Sequence, residues 1–152
     1  MGDDANRVAA ELKALLEERW PNRSWTTEEH IGRTPVDVAG TGDPRVLIEL
    51  EWRRADPSNN TVKLFRHIAE DSIDQSLLVI QLFTRYYDLK SGGVSSKREN
   101  AVFVGDRVAE TFDSVEYEAL TLDIEPPKRG GPLPGEWEKA TERVVEEIDA
   151  SL

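Results

Sequence analysis

The stretch Leu77–Phe83, "LLVIQLF", lies within "SLLVIQLFTRYY" and is apolar at almost every consecutive position. Side chains of a strand alternate between faces, so a run like this belongs to a central strand buried on both sides. Covering both sides takes helices on each face of a sheet, which points to an α/β architecture.

The flanking segments agree with that reading. Residues 3–19 place Val8, Leu12, Leu15 and Leu16 at helical spacing, with Asp3 or Asp4 as a cap and Pro21 as the stop. "RSWTTEEHI" and "TPVDVAG" read as two strands broken at Gly32, and the turn "GTGDP" leads into a third, "RVLIELEWRR". "DPSNN" is a turn and helix cap before "TVKLFRHIAEDSI", where Val62, Phe65, Ile68 and Ala69 are expected to share the buried face. After the apolar strand come a polar loop with paired glycines, "DLKSGGVSS", and a helix, "KRENAVFVGDRVAETF", weakened by Gly105. "VEYEALTLDI" alternates as a half-exposed strand. A Pro/Gly-rich surface loop, "EPPKRGGPLPG", precedes a closing helix with Trp137, Val144, Val145 and Ile148 directed inward. The predicted order is α-β-β-β-α-β-α-β-α: a sheet with an antiparallel start and helices packed around it.

Composition limits the function classes. The chain of 152 residues is read as one domain, 1–152, without internal repeats, and 38% hydrophobic content suits a folded core. The absence of cysteine excludes disulfides and thiolate metal sites. No run approaches a membrane span, and the start "MGDDANRVAAELKALLEERW" lacks the pattern of a secretory signal, so a cytoplasmic location is expected. The net charge is -11, with 6 lysines against 13 arginines. An acid-rich, lysine-poor surface suits a salty cytoplasm, so a halophilic source is expected. Such a charge repels nucleic acid at long range unless salt screens it.

The acidic third strand is the feature that points to chemistry. Val46, Ile48, Leu50 and Trp52 fall on one face, and Leu47, Glu49, Glu51 and Arg53 on the other. The "GTGDP" hairpin would bring Asp37 beside Glu49. Three crowded carboxylates raise one another's pKa, and burial adds to the cost. A hard divalent cation relieves both, and Mg²⁺ prefers oxygen ligands while keeping waters for a phosphate substrate. The residues thus read as a Mg²⁺ site of Asp37, Glu49 and the carbonyl of residue 50, able to activate water at phosphorus. The alternative is a solvated edge strand whose glutamates pair with Arg45, Arg53 or Arg54.

Over roughly positions 5–85, this order, with Pro35-Val36-Asp37 closing the second strand and Glu49-Leu50-Glu51 in the third, resembles the PD-(D/E)XK nuclease superfamily. The resemblance implies a restriction-endonuclease-like αβββαβ core with a mixed central sheet flanked by helices, plus a C-terminal helix. It implies that Asp37 and Glu49 bind Mg²⁺ or Mn²⁺ and that DNA is the substrate. Proline precedes the aspartate by two positions, and glutamate stands at 51 where the family usually carries lysine. Some restriction enzymes of this fold also use E-x-E. Glu51 is then the general base or a further metal ligand, and Lys63, one turn from His67 on the next helix, is the candidate for the missing positive charge. The family often adds a first-helix acid; Glu11 and Glu18 both qualify, and Glu11 is preferred.

The segment 84–98, "TRYYDLKSGGVSSKR", is the most basic in the chain. Arg85, Lys90, Lys97 and Arg98 are candidates to hold a DNA backbone, with two tyrosines able to stack on bases, and a mobile surface loop is the plainer reading. The helix from Lys97 and the closing helix either cover the sheet or mediate a homodimer, as cutting two strands would need. His30 and His67, far apart in sequence, do not suggest a zinc site. "GTGDPR" lacks the third glycine of a dinucleotide loop. Three readings follow: a metal-dependent DNA endonuclease, a catalytically silent domain of the same fold used for binding or assembly, and an unrelated α/β domain.

Overall fold

The computed structural model describes residues 2–71, 74–128 and 130–152. Among them, four α-helices and five strands follow the predicted order: α1 (Asp3–Arg19), β1 (Trp25–Ile31), β2 (Thr34–Gly40), β3 (Arg45–Glu51), α2 (Ser58–Asp71), β4 (Leu77–Phe83), a single 3-10 turn (Arg85–Tyr87), α3 (Ser96–Thr111), β5 (Val115–Thr121) and α4 (Trp137–Ser151). The helix expected to run to Ile73 is described as far as Asp71; positions 72 and 73 lie outside the described residues.

The strands form one mixed sheet in sequential order, β1 to β5. β1, β2 and β3 are antiparallel neighbours, whereas β3, β4 and β5 are parallel and joined through α2 and α3. The parallel half requires helical crossovers, and these cover one face. Leu47, Leu77, Val79 and Val115 pack there with Leu64, Ile68 and Val108 of α2 and α3. On the other face Val46, Ile48, Leu50, Leu78, Ile80 and Leu82 pack with α1 and α4 through Val8, Leu12, Leu16, Val144 and Ile148. Every residue of β4 is buried, as its apolar run requires.

Three local readings change. The N-cap of α1 is Gly2, without a side-chain hydrogen bond, because Asp3 and Asp4 already lie in the first turn, where their charges favour the helix dipole. On α2 the inward residues are Thr61, Leu64 and Ile68; Val62 is 48% exposed and Ala69 is also exposed. The inward stripe is therefore rotated by about one residue from the expected one. Gly105 does not interrupt α3, because the ring of Tyr117 packs directly on it and a Cβ at this position would collide with that ring.

Candidate functional site

β2 and β3 pair only over Val38–Gly40 and Val46–Ile48. Extending that register would oppose Asp37 to Glu49, but the described pairing stops short of them. The N–H of Leu50 donates instead to Asp37 Oδ2 at 2.6 Å. A side-chain carboxylate thus satisfies a main-chain donor at the point where the hairpin opens, as a buried N–H requires. On the other side the β1–β2 pairing passes from Thr27–Val38 to Glu29–Val36 and skips Asp37 and Glu28, a non-glycine residue with φ of 57°.

Alternation along β3 places Glu49 and Glu51 on the α2/α3 face with Leu47. Both are buried. Burial, then repulsion from Asp37 and Glu51, pushes the Glu49 carboxyl up to about 9. The two carboxyls lie within hydrogen-bonding reach of each other, and the shift favours a proton on Glu49. Asp37 is also raised by burial, against the lowering effects of the Leu50 N–H and the Arg54 guanidinium.

Glu51 is fully buried at the end of β3. Its Oε1 accepts from Asn60 Nδ2 at 2.7 Å and from Gln81 Nε2 at 3.0 Å. Gln81 is itself fixed: Tyr117 donates its hydroxyl to Gln81 Oε1 at 2.6 Å, and Gln81 Nε2 also reaches the Pro57 carbonyl at 3.2 Å. The remaining oxygen, Glu51 Oε2, is buried with no hydrogen-bond partner. Its closest cation is Arg54, with Nε at 3.8 Å, longer than a charge-assisted hydrogen bond. Burial raises the Glu51 carboxyl, and Asn60, Gln81 and Arg54 oppose that shift.

Arg54 lowers the proton affinity of all three carboxyls. Its main chain is anchored: its N–H donates to the Tyr87 hydroxyl at 2.8 Å, and the neighbouring Trp52 carbonyl accepts from Thr84 Oγ1 at 2.6 Å. Tyr87 is buried, which pushes its phenol up to about 12, so it stays a neutral hydrogen-bonding group.

The structure brings Asp37, Glu49 and Glu51 together and leaves the other candidates apart from them. Glu11 is half-buried on α1, whose core residues pack on the opposite face of the sheet, and Glu18 is exposed there. Lys63 lies on α2 one turn beyond Asn60 and makes no ion pair with a described carboxylate. The His67 ring lies against Gly32 in the β1–β2 turn, and His30 is exposed on β1. Arg85 pairs with Asp88 at 2.7 Å and Asp123 at 2.8 Å. Arg98 lies over the Phe83 ring at 4.7 Å and donates to Thr121 Oγ1 at 2.9 Å. Lys90 is exposed in the loop, and Lys97 lies over the Tyr86 ring at 5.8 Å.

Sequence reasoning missed Asn60, Gln81 and Tyr117 and took Arg54 only as a surface partner. One signal was available: Gln81 is the sole polar residue in "LLVIQLF". A polar group inside a strand buried on both faces must have partners.

Among the described residues, no group of three or more His, Asp or Glu side chains is disposed as a ready-made metal cage. Asp37 and Glu49 nonetheless offer adjoining oxygen donors, and Glu51 Oε2 is a buried acceptor without a donor. A cation such as Mg²⁺ would take one or two carboxylates there and fill its other positions with water and substrate oxygen. Among known proteins, no family model matches the chain and no curated protein sequence matches it.

Proposed function

We propose that the chain is a metal-dependent DNA endonuclease domain of the PD-(D/E)XK type, with an E-x-E motif on a restriction-endonuclease-like core. The carrying observation is the buried contact between Asp37 and Glu49 next to the partnerless Glu51 Oε2. Asp37 and Glu49 would hold Mg²⁺ or Mn²⁺, which supplies Lewis-acid stabilisation of charge at phosphorus. Glu51 accepts the proton of the attacking water, a role favoured by its raised proton affinity and by the orientation that Asn60 and Gln81 impose. Gln81 and Tyr117 act through Glu51, as positioning residues.

Mg²⁺ and Mn²⁺ titration by calorimetry, on the wild type and on Asp37→Asn and Glu49→Gln, tests the cation site. Cleavage of plasmid DNA at high salt tests the chemistry. Binding that both substitutions abolish, together with cleavage that Glu51→Gln reduces at least about 100-fold, supports the reading. A wild type that binds no cation overturns it.

A second reading is favoured by Arg54 and by the raised proton affinity of Glu49, which together lessen the negative charge of the cluster without a metal ion. It is a silent domain of the same type, used for binding or assembly. Cation-independent DNA binding without cleavage would select it.

A further inference from the structure

The cations expected to contact a nucleic-acid backbone lie in the segment 84–98, but Arg85 and Arg98 are engaged by neighbouring groups. A different set forms at the rim of the carboxylate cluster. Arg53 and Arg54 leave the end of β3 side by side, and both are exposed. The Arg53 guanidinium lies over the Tyr86 ring at 5.3 Å, and Lys97, in the first turn of α3, lies over the same ring at 5.8 Å. Tyr86 is 37% exposed and is held edge-on against buried Tyr87, with ring centroids 5.1 Å apart. Tyr87 in turn holds the Arg54 main chain, and Arg54 Nε lies 3.8 Å from Glu51. An unbroken line of contacts therefore runs from the cluster through Arg54 and Tyr87 to Tyr86 and Lys97.

Two features distinguish this strip in a chain of net charge -11. Among the described residues, neither Arg53 nor Lys97 pairs with a carboxylate, Arg54 makes only a long contact with one, and the neutral acceptors of the two arginines, the Pro127 carbonyl and Asn60 Oδ1, both lie at 3.5 Å. Arg53 and Lys97 lie over the partly exposed Tyr86 ring, so a stacking base takes their place there as they turn to its phosphates. Cations that track phosphates around a rigid aromatic platform are the elements that bind a single strand, because every base has a stacking face and an unpaired base can reach it. In a duplex the bases are already stacked on one another, so the ring would have no partner.

We propose that Arg53, Arg54, Tyr86 and Lys97 form a binding surface for single-stranded DNA, with a base on Tyr86 and the flanking phosphates on the three cations. Arg54, closest to Glu51, takes the phosphate nearest the carboxylates. This specifies the substrate of the site and rests on the hydrolase reading for what happens to the strand once it is bound.

The test is fluorescence anisotropy with a labelled oligothymidylate and with a duplex of equal length, in Ca²⁺ and in EDTA, across a KCl series. The wild type binds the single strand more tightly than the duplex. Tyr86→Ala weakens single-strand binding about ten-fold, as loss of one stacked base implies, and Tyr86→Phe retains it. Arg53→Gln, Arg54→Gln and Lys97→Gln each lower the slope of log affinity against log salt by about 0.7. Lys13→Gln, on α1 across the sheet from the carboxylates, leaves it unchanged. Circular dichroism confirms that each variant is folded. Equal or tighter duplex binding, wild-type affinity in Tyr86→Ala and Arg54→Gln, or no single-strand binding overturns the proposal. Strand binding with no cleavage in Mg²⁺ or Mn²⁺ overturns the hydrolase reading alone, whereas cleavage that none of the four substitutions alters overturns this one alone.

Discussion

Glu49 concentrates the electrostatics of the site at one residue. Its carboxyl goes from 4.5 to about 9 because burial and two neighbouring carboxylates disfavour its charge. For an acid raised on folding, the unfolded chain loses its proton first, so this group's effect on stability is unfavourable above the lower value and grows up to the higher one. The cation-free protein should therefore become less stable as pH rises from about 4.5 to about 9, read as a falling thermal midpoint. Glu49→Gln should flatten that dependence and raise the midpoint at pH above neutrality. A slope as steep in the variant as in the wild type would mean that another group carries it. At Gly105 the constraint is steric. Gly105→Ala should cost about 1–3 kcal/mol by denaturant unfolding, because the Tyr117 ring fills the space of the new methyl group. It should also lower any cleavage rate, since the displaced Tyr117 no longer orients Gln81 against Glu51.

At the scale of elements, the opening between β2 and β3 makes the site. A hairpin paired to its ends would give the Leu50 N–H a main-chain partner and leave the Asp37 carboxylate without its 2.6 Å donor. α2 then closes the site by bringing Asn60 to Glu51 while Leu64 and Ile68 anchor the helix to the sheet. Leu64→Ala should cost about 2–5 kcal/mol, whereas Val62→Ala, at a 48% exposed position, should stay within about 0.5 kcal/mol. The reverse order of costs would show that the helix is seated on its other stripe. Of the expected stripe, Phe65 and Ile68 pack against the core and Val62 and Ala69 do not, because periodicity ranks residues by hydrophobicity. The packed stripe includes Thr61, whose hydroxyl donates to the Ser58 carbonyl at 2.8 Å and so can be buried.

At the scale of the molecule, a net charge of -11 makes self-repulsion a destabilising term at low ionic strength. Raising the salt from about 0.1 M to about 1 M shortens the Debye length from roughly 10 Å to roughly 3 Å. The thermal midpoint should therefore rise with KCl. Equal stability in low and molar salt would remove the basis for reading the composition as an adaptation to salt. Among the described residues, no helix is long and apolar enough to cross a bilayer.

The sequence by itself determined the order of elements and the faces of β3. A run buried on both sides, alternation, and Gly/Pro punctuation are local signals, and each reports the environment of the residue that carries it. It also singled out Asp37, Glu49 and Glu51, because acids in an otherwise apolar hairpin stand out. Only the tertiary structure decided what surrounds them. Asn60, Gln81 and Tyr117 come from three different elements, and their convergence on Glu51 depends on strand register and helix seating. The separation of Arg53, Arg54 and Lys97 from Arg85 and Arg98 has the same origin. All five are cations in the sequence, and only folding shows that Arg85 is held by two carboxylates and Arg98 by Phe83 and Thr121, whereas Arg53 and Lys97 gather at Tyr86 and Arg54 at the rim of the cluster.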